Sequence, residues 1–216
     1  MPLTNHLTAV AAALLLASTA YAQDKAGAAD KQHGSSGHGS AHSSQAQGGH
    51  GAMQSSPNAE KAPFELQFID TMAKHHQDAI EMAQLAEKNS SRDELKKMAK
   101  KIGDDQQAEV KQLKGWKEKW YAGKGDAVNM KMPGMTESMK GMSMEKLKAS
   151  KGDAFDAMFI DMMTQHHQGA IKMAESASSK LEHAEVKEMA KKVVAEQKKE
   201  IAQMEQWKKE WKLAKK

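Results

Sequence analysis

An internal duplication constrains this chain more than any other feature. Residues 64–121 align with residues 155–212 without a gap, at a constant offset of 91, and 25 of the 58 pairs are identical. Phe68-Ile69-Asp70 returns as Phe159-Ile160-Asp161, and His75-His76-Gln77 as His166-His167-Gln168. Met82-Ala83 returns as Met173-Ala174, and Met98-Ala99-Lys100-Lys101 as Met189-Ala190-Lys191-Lys192. Trp116 and Trp120 return as Trp207 and Trp211. Self-similarity of this kind marks one structural unit used twice.

Each copy reads as two helices. In the first, near 64–88, Phe64, Phe68, Met72, His75, Ala79, Met82 and Ala86 recur at three- and four-residue spacing and form one stripe. In the second, near 93–120, Leu95, Met98, Ala99, Ile102, Val110, Leu113 and Trp116 do the same. Asn89-Ser90-Ser91 ahead of Asp93 supplies turn and cap chemistry. The second copy predicts helices near 153–178 and 182–213. Ala, Lys, Glu, Gln and Met dominate the composition, whereas β-formers are sparse. The expected fold is all-α: a ferritin-like four-helix bundle made of two duplicated helical hairpins, spanning 61–216.

The N-terminus reads differently. Ala9–Ala17 is a short apolar run, followed by Ala20-Tyr21-Ala22 with small residues placed for cleavage, so 1–22 is expected to be a secretory signal peptide. A membrane anchor would need about 20 apolar residues. The mature chain is therefore expected in a periplasm or outside the cell, without stable membrane insertion. Residues 23–60 are rich in Gly, Ser, Ala, Gln and His. They lack the apolar bulk to offset ordering entropy and are expected to be disordered. This stretch carries His33, His38, His42, His50 and Met53, a pattern that fits loose metal scavenging or a plain polar linker. Charges total 32 basic and 28 acidic residues and alternate along the helices, with no dense basic block, so nucleic acid is not an expected partner.

With no Cys, disulfides, thiolate sites and Cys nucleophiles are excluded, and any soft metal must be held by Met and His. The chain has 17 Met. Met98, Met158, Met189 and Met204 read as core. Six crowd the connection at 122–152, broken by Gly123, Gly125, Pro133, Gly134 and Gly141: Met130, Met132, Met135, Met139, Met142 and Met144. In a polar loop burial explains them least. They are candidate soft-metal ligands, with packing over the bundle end as the competing explanation.

On a helical wheel His75 falls mid-stripe, and His76 at its edge. Gln106 and Glu109 fall on the apolar stripe of the second helix, as do Gln197 and Glu200. Counted from a turn near Ser90, Met72, His75, Gln106 and Glu109 reach one level. They and their copies Met163, His166, Gln197 and Glu200 predict a polar layer inside the bundle. Buried imidazoles need partners. The layer is either a hydrogen-bonded pairing device or a metal site, with His75, His76, His166 and His167 as ligands beside Met72, Met82, Met163 and Met173. A di-iron site needs Glu-x-x-His on two helices; here the spacing is Met72-x-x-His75 and Met163-x-x-His166, which favours copper over iron. A metal-dependent oxidase and a metal-free helical interaction or stress protein remain as alternatives.

The patterns Phe-Ile-Asp-x-Met-x-x-His-His-Gln-x-Ala-Ile-x-Met-Ala at 68–83 and Phe-Ile-Asp-Met-Met-x-x-His-His-Gln-Gly-Ala-Ile-x-Met-Ala at 159–174, with Met-Pro-Gly-Met at 132–135, carry a resemblance. Across 64–212 the chain resembles a ferritin-like family of unknown function that includes the CopM-type periplasmic copper-binding proteins. The resemblance implies a duplicated hairpin bundle, copper binding by Met and His, a role in copper resistance and no catalysis. Cu(I) suits the thioethers, and imidazole takes Cu(I) or Cu(II). Copper ions are the expected partners, with a copper exporter or chaperone as a candidate for delivery.

Overall fold

The computed structural model describes residues 54–213, and every regular element in them is helical. The leader at 1–22 and the His-bearing stretch up to Met53 lie outside the described residues. A short 3-10 turn, Ala59–Lys61, precedes α1 (Phe64–Asn89) and α2 (Asp93–Trp120). The connection holds two short helices, α3 (Met135–Met139) and α4 (Met144–Ala149). Helices α5 (Gly152–Ala177) and α6 (Ala184–Glu210) complete the chain. The long helices begin and end within about three residues of the positions read from the periodicity, as expected for frayed ends.

Helices α1 and α2 form one hairpin, α5 and α6 the other, and the hairpins pack through α1 against α5. The result is a four-helix bundle. Two apolar clusters fill it. One joins Leu66, Phe68, Ile69 and Met72 of α1 to Leu113 of α2, to Met173 and Ala177 of α5 and to Val186 and Met189 of α6. The other joins Met82 and Ala86 of α1 to Leu95 and Ile102 of α2, to Phe155, Phe159 and Met163 of α5 and to Met204 of α6. The start of α1 thus lies beside the end of α5, so the two hairpins are antiparallel.

This arrangement lets each hairpin lock the turn of the other. Glu65, fully buried, accepts hydrogen bonds from the backbone N–H of Glu182 and His183, from the His183 ring and from the Tyr121 hydroxyl. Burial alone would raise the Glu65 carboxyl, but these donors, His183 foremost, hold it below the ordinary carboxylate range. The equivalent of Glu65 is Asp156, also buried, which accepts from Arg92 at the start of α2. Arg92 also sits 4.6 Å over the Trp211 ring, as His183 stacks on Trp120 at 3.7 Å. The two locks are related by the same 91-residue offset as the sequence.

Of the two readings of the connection, packing against the bundle is what the structure shows for much of it. The connection runs from the end of α2, across the start of α1, onto α5 and then to α4. Asp70 accepts from Ala127 N–H at 2.8 Å, and the Thr71 hydroxyl from Asn129 N–H at 2.9 Å. Farther on, Gly134 lies against Gly169. A Cβ on Gly134, at φ 89°, would stand 2.2 Å from the Gly169 carbonyl oxygen, and one on Gly169 would stand 2.3 Å from the Ser138 Cβ. Only a residue without a side chain lets the connection approach α5 this closely. The first-copy residue at this position is Asp78.

Three of the six connection methionines are core: Met132, Met135 and Met144 are at most 5% exposed. Met130 and Met142 pack half-buried against the two clusters. Burial therefore explains five of the six, because the connection is itself a packed layer. Residues 54–60, expected within a disordered stretch, are likewise tied down. Ser56 N–H donates to the Val128 carbonyl, and the Ser55 and Ser56 hydroxyls accept from Met130 and Val128.

Candidate metal centre

Between the two apolar clusters lies a single polar layer. His75, His76, His166 and His167 are all fully buried, and Gln106, Glu109, Gln197 and Glu200 join them from α2 and α6. The layer expected from spacing is present, but its pairing is shifted: the spacing set Met72 against Glu109, whereas Met72 lies in the apolar cluster and a histidine one turn further along α1 meets that carboxylate. The partners within it differ from the expectation. His76, placed at the stripe edge by the wheel, is as buried as His75, and it is His76 that meets Glu109, at 3.0 Å. The copy repeats this: His167 meets Glu200 at 2.9 Å. His75 instead turns to the bundle centre, where its ring stands 3.6 Å from that of His166, and the His75 carbonyl lies 2.9 Å from the His166 Nε2. A wheel of α1 alone does not contain α2, whose Glu109 meets His76 at the stripe edge.

Each carboxylate is also met from the opposite hairpin: Lys192 lies 3.3 Å from Glu109, and Lys101 lies 3.7 Å from Glu200. Burial works to raise the Glu109 carboxyl, but His76 and then Lys192 hold it below its usual range. His75 and His166 also shift downward, which for an imidazole favours the neutral form. Desolvation, then the neighbouring imidazoles, push both far below the ordinary histidine range, so both are neutral at pH 7.

Imidazole nitrogens are metal donors, and those of the layer are underused. Both ring nitrogens of His75 and the Nδ1 atoms of His76, His166 and His167 have no hydrogen-bond partner, nor have both amide atoms of Gln106 or the Gln197 oxygen. A buried polar atom left unpaired costs about 1–3 kcal/mol, so a layer with five open imidazole nitrogens is one that a bound ion would stabilise. Among the described residues no three His, Asp or Glu side chains converge ready to hold an ion. Met72, Met82, Met163 and Met173 are fully buried, Met72 and Met173 on one side of the layer and Met82 and Met163 on the other. A crevice of about 20 Å³ between α2 and α6, lined by Gln106, Glu109, Gln197 and Glu200, opens onto the layer; that is room for about one water molecule.

A duplicated helical bundle with paired buried His-His steps is the class of protein these features define. The description "Domain of unknown function (DUF305)" matches residues 65–208, and the chain belongs to that family. Among solved structures it is similar to CopM in its Cu(I)-bound form, at 33% identity over 68% of this chain and 96% of that one, with a TM-score of 0.58. It is also similar to the Cu(II)-bound form, at 34% identity over 68% and 97% of the two chains, with a TM-score of 0.59. A putative secreted DUF305 protein from Streptomyces coelicolor shares 27% identity over 64% of this chain and 87% of that one, with a TM-score of 0.57. No curated protein matches the sequence.

Proposed function

We propose that this protein is an exported copper-binding protein that sequesters or carries copper through Met and His, and that it is not an enzyme. The observation that carries the reading is the fully buried four-histidine layer with five open imidazole nitrogens. Likeness to CopM, whose structures are described as bound to Cu(I), Cu(II) and Ag, supports copper as the ion. So does the donor set, because neutral imidazole and thioether suit copper better than the hard divalent ions. The layer holds only two carboxylates, each already engaged by a histidine and a lysine, which speaks against the oxygen-rich di-iron site of an oxidase. The apolar run at 9–17 supports export, and among the described residues no helix is long and apolar enough to cross a membrane.

The test is an anaerobic Cu(I) titration of the mature chain against a competing chelator, repeated with Cu(II). Retained copper, with affinity lost when His75, His76, His166 and His167 become Ala, is the expected result. Unchanged affinity in that variant would remove the layer as the site. Because that variant leaves four cavities, loss of copper counts only if its helical circular dichroism is retained; copper-induced shifts of the four imidazole resonances in the unaltered protein provide the second reading.

A further inference from the structure

Among the positions where the two copies differ, one pair on the helix surface exchanges polar side chains for thioethers. In the first copy Gln67 and Thr71, one turn apart on α1, clasp the connection. The Gln67 carbonyl accepts from the Asn129 amide at 2.8 Å, and the Thr71 hydroxyl accepts from Asn129 N–H at 2.9 Å. The equivalents on α5 are Met158 and Met162. No hydroxyl or amide stands there, and the connection crosses α5 differently. The Gln165 amide donates to the carbonyls of Glu137 and Lys140, at 2.9 and 2.6 Å, and Lys172 pairs with Glu137. A third thioether, Met142, follows that clasp. Met142, Met158 and Met162 line one open cavity of about 380 Å³, with Gln165, Asp161 and Lys146 also in its wall. Met142 and Met158 are half-buried, and Met162 is 8% exposed, so the group is reachable from solvent while backed by the apolar cluster.

We infer that Met142, Met158 and Met162 form a second metal site, separate from the central layer, for a soft monovalent cation of the Cu(I) and Ag(I) class. Thioether sulfur is neutral and polarisable and selects Cu(I) over harder ions. The charges around it argue for one positive charge rather than two. Asp161 is the only carboxylate in the wall and is already paired with Lys208, while Lys140 and Lys146 stand at the rim. Two ligands come from successive turns of one rigid helix and the third from a connection pinned to that helix at Gln165. All three therefore border one cavity before any ion arrives. The site lies at the surface, where an ion is taken up or handed on, whereas the crevice at the histidine layer is narrow.

The inference rests on the copper-binding reading but not on the histidine layer, and one experiment separates them. Mature protein with methionine ε-methyls labelled with 13C is titrated with Ag(I), a redox-inert probe. The methyls of Met142, Met158 and Met162 are expected to shift together and saturate at one equivalent. The imidazole resonances of His75, His76, His166 and His167 report the central layer independently. The triple variant M142L/M158L/M162L, close in volume, is expected to keep its fold, to lose one equivalent of Cu(I) and Ag(I), and to keep its Cu(II) stoichiometry. Silver bound with these three methyls unmoved, or an unchanged Cu(I) equivalence in the triple variant, overturns this site whatever the imidazoles do. Shifted methyls with unmoved imidazoles uphold it and overturn the layer. Binding of neither ion overturns both.

Discussion

The stability of the copper-free protein should fall steeply below pH 6.5, and the two central histidines set the slope. In the unfolded chain His75 and His166 titrate near 6.5. In the folded bundle burial and the neighbouring rings hold both far lower, so they stay neutral as the pH drops. Below pH 6.5 the unfolded state therefore binds more protons than the folded state, and acid favours unfolding. The contribution is fully present above 6.5 and is lost as the pH falls from there toward the folded values. For a histidine still neutral in the fold at pH 5, the loss from neutral pH is about 2 kcal/mol; for the pair it is about 4 kcal/mol. In a bundle of this size that is roughly 8–16 °C in Tm. Glu109 loses its own contribution in the same direction, but only below its unfolded value of 4.5, so it does not confuse the window from 6.5 to 5. The assay is urea unfolding at pH 7.5, 6.5, 5.5 and 5, with chelator present, followed by the fluorescence of Trp116, Trp120, Trp207 and Trp211. H75L/H166L replaces the stacked rings by apolar side chains and should flatten the profile across that window. A flat profile in the unaltered protein, or the same slope in the double variant, would refute the assignment of neutral buried imidazoles.

Further outcomes follow from other parts of the bundle. Gly169→Ala puts a Cβ 2.3 Å from the Ser138 Cβ and 2.7 Å from the Gly134 carbonyl oxygen, and should cost about 1–3 kcal/mol in urea unfolding by forcing α3 off α5. Glu65→Gln removes a buried charge that accepts from His183, Glu182 and Tyr121; it should cost about 1–3 kcal/mol, with amide exchange rising first at the turn before α6. Cu(I) at about a hundred times its dissociation constant should raise stability by about 2.7 kcal/mol per site, read as a Tm increase that a chelator reverses.

What the sequence disclosed depended on the range of the interaction. Helix periodicity and the turn at Ser90 act within about thirty residues, and they bring the α1 histidines and Glu109 of α2 into one layer, with the pairing one helical turn off. Azimuth around the helix is different, because it depends on the neighbour. His76 is met by Glu109 of α2, so a wheel drawn for α1 alone leaves it at the edge. The same limit hides the partnership of Glu65 with His183, 118 residues away. A signal was nonetheless present there: Glu65 and Asp156 are equivalent acids, and Arg92 and His183 are equivalent bases. Reading the duplication for complementary charge, as well as for identity, would have found both locks. The connection methionines misled for another reason. A stretch rich in Gly and Lys reads as solvent-exposed loop until the Gly134 and Gly169 pair allows it to lie flat on α5, and Met132, Met135 and Met144 become core.

The pattern of identity and divergence between the two copies also bears on what the bundle is built to do. The layer is the same in both: His75 and His166, His76 and His167, Gln106 and Gln197, Glu109 and Glu200. So is the ion pair of Asp70 with Lys117, repeated as Asp161 with Lys208. A two-fold arrangement places both copies of these residues in one environment, and the His75–His166 stack lies where the copies meet. The connection cannot share that symmetry. One strand of chain joins two hairpins and crosses α1 and α5 in unlike ways, so the positions under it need different chemistry in each copy. Gln67 and Thr71 became, or remained, backbone clasps, whereas Met158 and Met162 did not. Asp78 could keep its side chain, whereas Gly169 could not. The soft donors outside the central layer therefore collect along the connection, where symmetry is already broken and a thioether can be placed without disturbing its copy. On the proposed reading, the bundle separates two demands that conflict in a single buried site: a buried layer to hold an ion, and an open edge through which one can be exchanged.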